Sequence, residues 1–208
     1  MPAKPSRRLT QDERSALSDQ RLIDAAIRLI VDVGTNGATL KALGDASGYS
    51  RGHVTYRFGT KAGLFKAVIK QVSERWARTL EAQVADATGA DALMACADAY
   101  YAFVRESPDD IRAMNILSQQ ACEPDSELKD IVCRVKQRQA KQLQSWIHQG
   151  QEAGTINPKL DAAASAAHFI AYSSGIGLLW MLDKDSFDWP RVQQHAKQRL
   201  ADELAVRK

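Results

Sequence analysis

Glycine and proline are unevenly distributed along this chain of 208 residues. Seven of the twelve glycines lie between residues 34 and 63, and no proline occurs between Pro5 and Pro108. Glycine ends helices and permits tight turns, whereas proline disrupts the interior of a helix. We therefore predict short helices joined by sharp turns near the N-terminus, followed by long uninterrupted helices.

The first long amphipathic segment covers residues 19–33. Its apolar residues recur at spacings of three and four, which is the period of a helix with one buried face. Gly34 follows where a C-terminal cap belongs. Ser18 can serve as the N-cap, but the upstream Thr10-x-x-Glu13 reads as a capping box. The helix therefore starts earlier than Ser18, or a short arm helix precedes it.

Helical periodicity continues to the C-terminus, and no segment shows the alternating pattern of a strand. The pattern predicts helices over residues 39–47, 50–58, 60 to about 87, 91–106, 108 to about 120, 125 to about 150, 161–182 and from 188 onwards. We predict an all-α protein of about nine helices. Its parts are a flexible basic arm over residues 1–17, a three-helix unit over residues 18–65 and a larger helical body over residues 66–208.

Residues 39–61 (TLKALGDASGYSRGHVTYRFGTK) have the pattern of a helix-turn-helix. Leu43 and Gly44 lie on the inner side of the first short helix. Gly48 can adopt the left-handed conformation of a tight turn, and Ser50 can cap the second helix. Glycine inside a helix costs about 1 kcal/mol relative to alanine. We therefore predict that Gly44 allows the second helix to approach closely.

The outward side of the second short helix follows from the rotation of about 100° per residue. Val54 and Phe58 share one side. The opposite side carries small or polar-tipped residues, which are Gly52, His53 and Tyr56, with Thr55 on its flank. A glycine in the first turn lets a helix backbone sit deep in the major groove of DNA. We predict that Arg51, Gly52, His53 and Tyr56 form the base-reading surface.

Phosphate contacts are predicted at the helix starts. Lys61 lies in the first turn of a helix, where a cation opposes the helix dipole. With a phosphate present, Lys61 and the first free amides of the helix form an anion site. Thr39 can donate to another phosphate at the start of the first short helix. The predicted phosphate-contacting set is Thr39, Ser50, Thr55, Arg57 and Lys61.

The charges support this division of the chain. The whole sequence has a net charge of only +3. Residues 1–75 carry 13 basic and 7 acidic side chains, a net charge of +6, whereas residues 76–208 have a net charge of −3. A basic head on a mildly acidic body is the distribution expected of a protein that contacts DNA with one end.

Several short patterns recur in a fixed order between residues 22 and 65. They are the Ile23-x-x-Ala26 helix ending in Gly34, then Thr39, Leu43-Gly44 with Ala46 and Gly48, Ser50-x-Gly52, Phe58, Thr60-Lys61 and Leu64-Phe65. Together they resemble the N-terminal DNA-binding domain of the TetR family of bacterial transcriptional repressors. This sequence departs from the family at Gly44, where alanine is usual. It also has Thr55 where a tyrosine commonly touches the DNA backbone, so that either this contact is lost or Tyr56 makes it.

The resemblance also implies a two-fold dimer built from the last two helices. Small side chains four residues apart form a ridge that allows close helix packing, namely Ala163, Ala167, Ala171 and Gly175. The last helix has a stripe at the same spacing, with Val192, Ala196 and Leu200. Such a dimer places its two recognition helices on successive major grooves and predicts a palindromic operator in double-stranded DNA. The alternative is that the ridge packs within the chain.

A pocket for a small-molecule effector is implied in the helical body. The predicted lining residues are Met94, Tyr101, Met114, Trp146, His168, Tyr172 and Trp180. His168 is the sharpest candidate among them, because an uncharged interior helix has little other need for an imidazole. For each residue, the alternative is an ordinary place in the core.

The sequence thus predicts a homodimeric, cytoplasmic transcriptional regulator, a repressor that an effector releases from its operator. The fourth helix would transmit the effector's presence to the DNA-reading end. A non-specific architectural DNA-binding protein is an alternative. An all-helical enzyme is another, although no Ser/His/Asp set, H-E-x-x-H, Walker loop or Rossmann fingerprint is present. We predict no catalytic residue, metal or cofactor, and interpret the apolar residues 162–182 as a buried helix rather than a membrane span.

Overall fold

The computed structural model describes residues 10–183, 185 and 187–206, except for the side chains of residues 12–16. This part of the chain forms nine α-helices and no strand, as predicted. They are α1 (Gln11–Gly37), α2 (Leu40–Ser47), α3 (Arg51–Phe58), α4 (Lys61–Val84), α5 (Gly89–Glu106), α6 (Pro108–Gln120), α7 (Lys129–Glu152), α8 (Ala162–Leu182) and α9 (Trp189–Leu204). Two compact units divide after Val68, within α4.

Part of the segment predicted as a flexible arm, residues 1–17, is helical. Residues 1–9 lie outside the described residues, but residues 11–17 belong to α1, which begins at Gln11. The earlier start, which Thr10-x-x-Glu13 indicated, is therefore correct. Ser18 does not cap the helix; it lies inside α1, and its hydroxyl donates to the Tyr49 oxygen at 2.9 Å. The predicted break at Gly34 is present, where the backbone has φ 68° and ψ −179°.

Local capping explains the two short helices of the first unit. The Thr39 hydroxyl oxygen accepts the Ala42 amide at 3.1 Å at the start of α2. Between the helices, Gly48 has φ 76°, the left-handed conformation that the turn requires. A Cβ atom at Gly44 would lie 2.9 Å from the Tyr49 carbonyl oxygen, which confirms that glycine there permits the close approach of the turn.

The second unit has a core shared by α5, α7, α8 and α9. Its buried residues are Val84, Ala92, Leu93, Cys96, Leu143, Trp146, Ile147, Ile156, Ala162, Ala166 and Leu204. Asp161 caps α8 and Asp188 caps α9. Arg75 of α4 donates to both carboxylate oxygens of the buried Asp110 of α6, at 2.8 and 3.0 Å. These interactions fix the helices that surround the internal cavities.

The prediction that α8 is a buried helix is wrong. Only Ala162, Ala166 and Gly177 are buried along its 21 residues. Leu179 and Leu182 are 58% and 76% exposed. Within the described residues, α8 alone has the length and apolar composition to cross a membrane, and 17% of its most apolar window is buried. Its apolar surface exceeds what the other helices of the unit can cover.

Candidate nucleic-acid interface and internal cavities

The orientation of α3 agrees with the rotation calculated from the sequence. Val54 is fully buried and Phe58 is half-buried, so that this side faces the unit's interior. On the opposite side Gly52, Thr55 and Tyr56 are exposed, and 91% of Tyr56 is accessible. A Cβ atom at Gly52 would meet only the Ser50 hydroxyl oxygen within 4 Å, at 3.9 Å. The first turn of α3 is therefore open to a large partner.

His53 and Arg51 differ in how firmly they are held. The His53 ring stacks on the Tyr49 ring, with centroids 5.0 Å apart and planes 18° apart. Tyr49 is fixed in turn by the hydroxyl of Ser18 on α1. Arg51 is exposed at the first position of α3. The predicted base-reading surface thus combines a pre-positioned imidazole with a long side chain that can adapt to its partner.

Thr39 and Ser50 are both exposed caps. The Thr39 oxygen accepts the Ala42 amide, and the Ser50 oxygen accepts the His53 amide at 3.2 Å. A hydroxyl that accepts a hydrogen bond keeps its own hydrogen for donation to another acceptor. Each cap can therefore stabilise its helix and donate to a phosphate at the same time.

Lys61 is less free than the sequence suggested. Its Nζ atom lies 3.3 Å from the Asn36 carbonyl oxygen and 5.7 Å from the centre of the Phe65 ring. The predicted set of free amides is also smaller, because the Gly63 amide donates to the Thr60 hydroxyl at 3.0 Å. Local backbone and ring interactions, which residue spacing does not reveal, offset the unfavourable position of this cation in the helix dipole.

Arg57 is engaged within the first unit. Its guanidinium donates two hydrogen bonds to the carboxylate of Asp19 on α1. The hydrogen bond with Asp19 raises the pKa of Arg57, and the charge of Asp19 contributes in the same direction. Two of its five donors are occupied in this way. The geometry therefore gives Arg57 a role in joining α3 to α1, which the sequence did not indicate.

Two cavities in the second unit contain most of the predicted pocket residues. The first, here called the Lys136 cavity, has a volume of about 120 Å³ and is lined by residues of α4 to α8. The second, here called the α9 cavity, has a volume of about 480 Å³ and lies among α5, α7, α8 and α9. Neighbouring faces of α8 line different cavities. Ile170 and Ser174 face the Lys136 cavity, whereas His168 and Tyr172 face the α9 cavity.

The structure does not bring the seven predicted pocket residues together. Met114 and Trp146 line the Lys136 cavity. Tyr101, His168 and Tyr172 line the α9 cavity. Met94 lies in a groove on the other side of α9, and Trp180 lies against Trp189, with ring centres 6.1 Å apart. The prediction that all seven line one pocket is therefore wrong, although the two cavities are adjacent and share Tyr100, Leu143, Phe169 and Ser173 in their linings.

His168 has a partner that the sequence did not reveal. Its side chain is 65% exposed, and its Nδ1 atom lies 3.4 Å from an oxygen of Glu203 on α9. The argument that an interior helix has no other need for an imidazole is therefore wrong, since α8 is not an interior helix. His168 forms part of the contact between α8 and α9 at the rim of the α9 cavity.

Sequence reasoning missed Lys136, the cationic residue of the smaller cavity. Its Nζ atom lies 3.4 Å from the Ser174 hydroxyl oxygen. Burial lowers the pKa of Lys136, because desolvation disfavours the charged ammonium. A signal was present in the sequence: Lys136 and Gln139 occupy positions in the apolar stripe of α7, between Val132 and Leu143. A charged residue on an otherwise apolar helix face indicates a polar site inside the helical body.

The two sets of predicted dimer residues have different surroundings. The α8 ridge is exposed along its length, at Ala163, Ala167, Ala171 and Gly175. The alternative that the ridge packs within the chain is therefore wrong. The α9 stripe, in contrast, is half-buried and lines the α9 cavity with Val192, Ala196 and Leu200. The outer face of α9 instead carries polar residues, including Arg191, Gln194, His195 and Gln198.

Comparison with known protein families gives two matches that together cover most of the chain. Residues 22–68 match the model for bacterial regulatory proteins of the tetR family. Residues 89–205 match the model for the C-terminal part of BetI-type transcriptional repressors. The first match contains α2 and α3, and the second contains both cavities except for the α4 residues of the Lys136 cavity.

Known relatives share the N-terminal part of the sequence. The transcriptional repressor AcnR of Corynebacterium efficiens is 36% identical over 63 residues, which are 30% of this chain and 34% of the relative. The transcriptional regulator BetI of Burkholderia ambifaria is 38% identical over 66 residues, 31% of this chain and 34% of the relative. The chain thus spans about a third of the length of these relatives.

Solved structures match over nearly the whole fold. A putative TetR-family regulator from Rhodococcus sp. has a TM-score of 0.79 at 18% identity and covers 91% of this chain and 100% of its own. FadR from Bacillus subtilis, solved in complex with stearoyl-CoA, has a TM-score of 0.75 at 15% identity. The match covers 89% of this chain and 99% of the FadR chain. With family models matching both the helix-turn-helix segment and most of the helical body, this chain belongs to the TetR family of bacterial transcriptional regulators.

Proposed function

We propose that this protein is a DNA-binding transcriptional repressor, controlled by a small-molecule effector. The observation that carries the proposal is the outer face of α3. There, a Cβ atom at Gly52 would have open space around it, and the neighbouring Arg51 and Tyr56 are exposed. The hydroxyl of the N-cap, Ser50, can donate to a phosphate. The α3 face combines backbone access with side chains that read base edges, which is what major-groove recognition requires.

The proposed base-reading residues are Arg51, Gly52, His53 and Tyr56. We propose Thr39, Ser50, Thr55 and Lys61 as phosphate contacts, and we place Arg57 in the support of α3 because Asp19 holds its guanidinium. Tyr56 is 91% exposed, so that its ring can reach a base edge or, in place of a tyrosine at position 55, the DNA backbone. Base contacts would then carry sequence discrimination, and the phosphate contacts would fix the register.

The proposal includes a homodimer that uses the exposed α8 ridge. Small residues at every fourth position permit close packing, and the exposed Leu178, Leu179 and Leu182 add apolar area at the same helix. Contiguous exposed apolar surface of this kind usually marks an interface. A two-fold interface would present two copies of α3 to a palindromic operator. We propose a cytoplasmic location, because the operator of a bacterial regulator lies there.

The effector would bind in the helical body. FadR was solved with stearoyl-CoA and another structural neighbour, SmeT, with triclosan, so that related folds accommodate small-molecule ligands. In this chain α4 contributes to the Lys136 cavity and also begins with Lys61, directly after α3. An effector can act only if it prefers a conformation of the dimer that fits the operator poorly. We propose that α4 carries this preference.

The test is DNA binding by the full chain. DNA flanking its own gene is titrated by fluorescence anisotropy, and the protected bases are mapped by footprinting. We expect a palindromic footprint and an affinity that falls steeply with salt, because phosphate contacts release counterions. Binding that is equal on scrambled DNA would instead indicate an architectural protein. Absence of binding at low salt to both DNAs would contradict the proposal.

A further inference from the structure

Lys136 lies in an environment that disfavours an ammonium group. The lining of the cavity around it includes the apolar aromatic side chains of Trp76, Phe103, Trp146 and Phe169. Among the residues that the structure describes, the hydrogen-bond partner of its Nζ atom is the neutral hydroxyl of Ser174. A charge removed from water is costly unless an opposite charge and hydrogen bonds compensate it. Lys136 is half-buried, and without a ligand a neutral hydroxyl offsets only part of the cost of its partial desolvation.

The other polar groups of the Lys136 cavity are all neutral. They are Ser73 of α4, Tyr100 of α5, Asn115 of α6, Gln139 and Gln142 of α7, and Ser173 and Ser174 of α8. No aspartate or glutamate lines the cavity within the described part of the chain. The cavity thus offers one cation together with amide and hydroxyl groups, which are suited to hydrogen-bond an anionic group.

The size of the cavity limits the rest of the ligand. Its volume of about 120 Å³ is close to that of an engineered apolar cavity, about 150 Å³, that holds one benzene molecule. The aromatic lining offers edge and face contacts to a ring and apolar contacts to a short chain. One aromatic ring or a short alkyl chain therefore fits this space.

We infer that the Lys136 cavity binds a small apolar carboxylate, with the carboxylate at Lys136 and Ser174 and the ring or short chain among Trp76, Phe103 and Trp146. The ligand supplies the negative charge that the cavity lacks, so that its binding converts a desolvated cation into an ion pair. The cavity should correspondingly reject amines of the same shape, because two cations would face each other in a poorly hydrated site. As a statement about the effector, this inference rests on the proposed function.

The experiment measures ligand binding by calorimetry on the full chain, without DNA. The probes are benzoate, phenylacetate and hexanoate, each compared with its own neutral amide. Hydrogen bonds to charged groups contribute more than neutral ones, so we expect at least one carboxylate to bind about tenfold or more tightly than its amide. If no carboxylate is preferred over its amide, the inference is wrong.

A matched pair of lysine variants locates the binding. Lys136→Met keeps the length of the side chain and removes the charge, and should abolish the preference for the carboxylate. Lys141→Met changes an exposed lysine of the same helix and should retain the preference. Because Lys136→Met also removes a desolvated charge, we expect its midpoint of thermal unfolding to equal or exceed that of the original chain. A preference that persists in Lys136→Met would overturn the assignment to this cavity.

Failure of this inference can be distinguished from failure of the proposed function. If the chain binds a carboxylate but does not bind DNA, the proposed repressor function is wrong and the proposed ligand site still stands. If the chain binds DNA sequence-specifically but shows no preference for carboxylates, only the proposed ligand site is wrong. If Lys136→Met does not fold, the comparison of carboxylates with amides on the original chain still decides the inference.

Discussion

Gly52 of α3 and Gly175 of α8 invite comparison, because both are exposed glycines inside helices. A Cβ atom at Gly175 would meet nothing within 4 Å, and one at Gly52 would meet only the Ser50 hydroxyl oxygen. Alanine at either position would favour the isolated helix by about 1 kcal/mol. Neither glycine is required by the chain itself, so that each is best explained by the close approach of something outside it.

The neighbours of the two glycines indicate different partners. Gly52 is next to the exposed Arg51 and one turn from Tyr56, side chains that can hydrogen-bond to base edges and phosphates. Gly175 follows Ala171 by one turn and precedes Leu179, which is 58% exposed. The polar neighbours of Gly52 suit a hydrated, charged partner such as DNA, whereas the apolar neighbours of Gly175 suit a second protein surface. On the proposed function, each exposed glycine permits a close approach, by DNA at Gly52 and by a second protein surface at Gly175.

The largest expected effect comes from placing a charge on the α8 ridge. Ala171→Glu would bury an unpaired carboxylate in the proposed dimer, at a cost of about 3–5 kcal/mol. We expect a monomer by sedimentation and a loss of DNA affinity of more than a hundredfold. Ala82→Glu, at an exposed alanine of α4, is the control and should remain dimeric. If the Ala171→Glu chain is still a dimer, α8 does not form the dimer interface.

A smaller effect is expected from shortening Arg51 on α3. Arg51→Ala should cost about 1–3 kcal/mol of binding to the operator and reduce discrimination between the operator and altered sequences. The measurement is anisotropy titration on a set of single-base variants of the footprint. A uniform loss on every sequence would show that Arg51 contacts the backbone, not the bases.

The two glycines can be tested directly by alanine. Gly52→Ala should raise the free energy of unfolding by up to about 1 kcal/mol, since its surroundings are open, and yet weaken DNA binding. Gly175→Ala should leave DNA contacts alone and raise the dimer dissociation constant, measured by sedimentation over a dilution series. The contrary outcome is an alanine that raises the free energy of unfolding and leaves binding of the assigned partner, DNA for Gly52 or the second protomer for Gly175, unchanged. That result would refute the close approach proposed for that helix.

The smallest expected effect is at Lys61. Lys61→Ala should weaken binding similarly on all sequences and lower the slope of log affinity against log salt by about one. Lys70→Ala is a suitable control, because this exposed lysine of the same helix lies 3.8 Å from Glu74. An unchanged salt slope in Lys61→Ala would mean that the lysine serves only the Asn36 carbonyl and the Phe65 ring.

Short-range features were predictable from the sequence. Helix periodicity, the cap at Ser50 and the turn at Gly48 all depend on residues within a few positions of one another. The outward face of α3 followed from the same local geometry. Long-range pairings were not predictable: Asp19 holds Arg57 across 38 positions, and Glu203 lies against His168 across 35.

The sequence by itself determined the all-α class, the helix-turn-helix and the residues that α3 exposes, because repeating spacing and local capping fix these features. Only the tertiary structure decided that the predicted pocket residues do not share one cavity, that Lys136 lines the smaller of two adjacent cavities and that the α8 ridge is exposed. The physical reason is that a helix buries only those faces that its neighbours cover. The positions of those neighbours depend on packing between segments far apart in the chain.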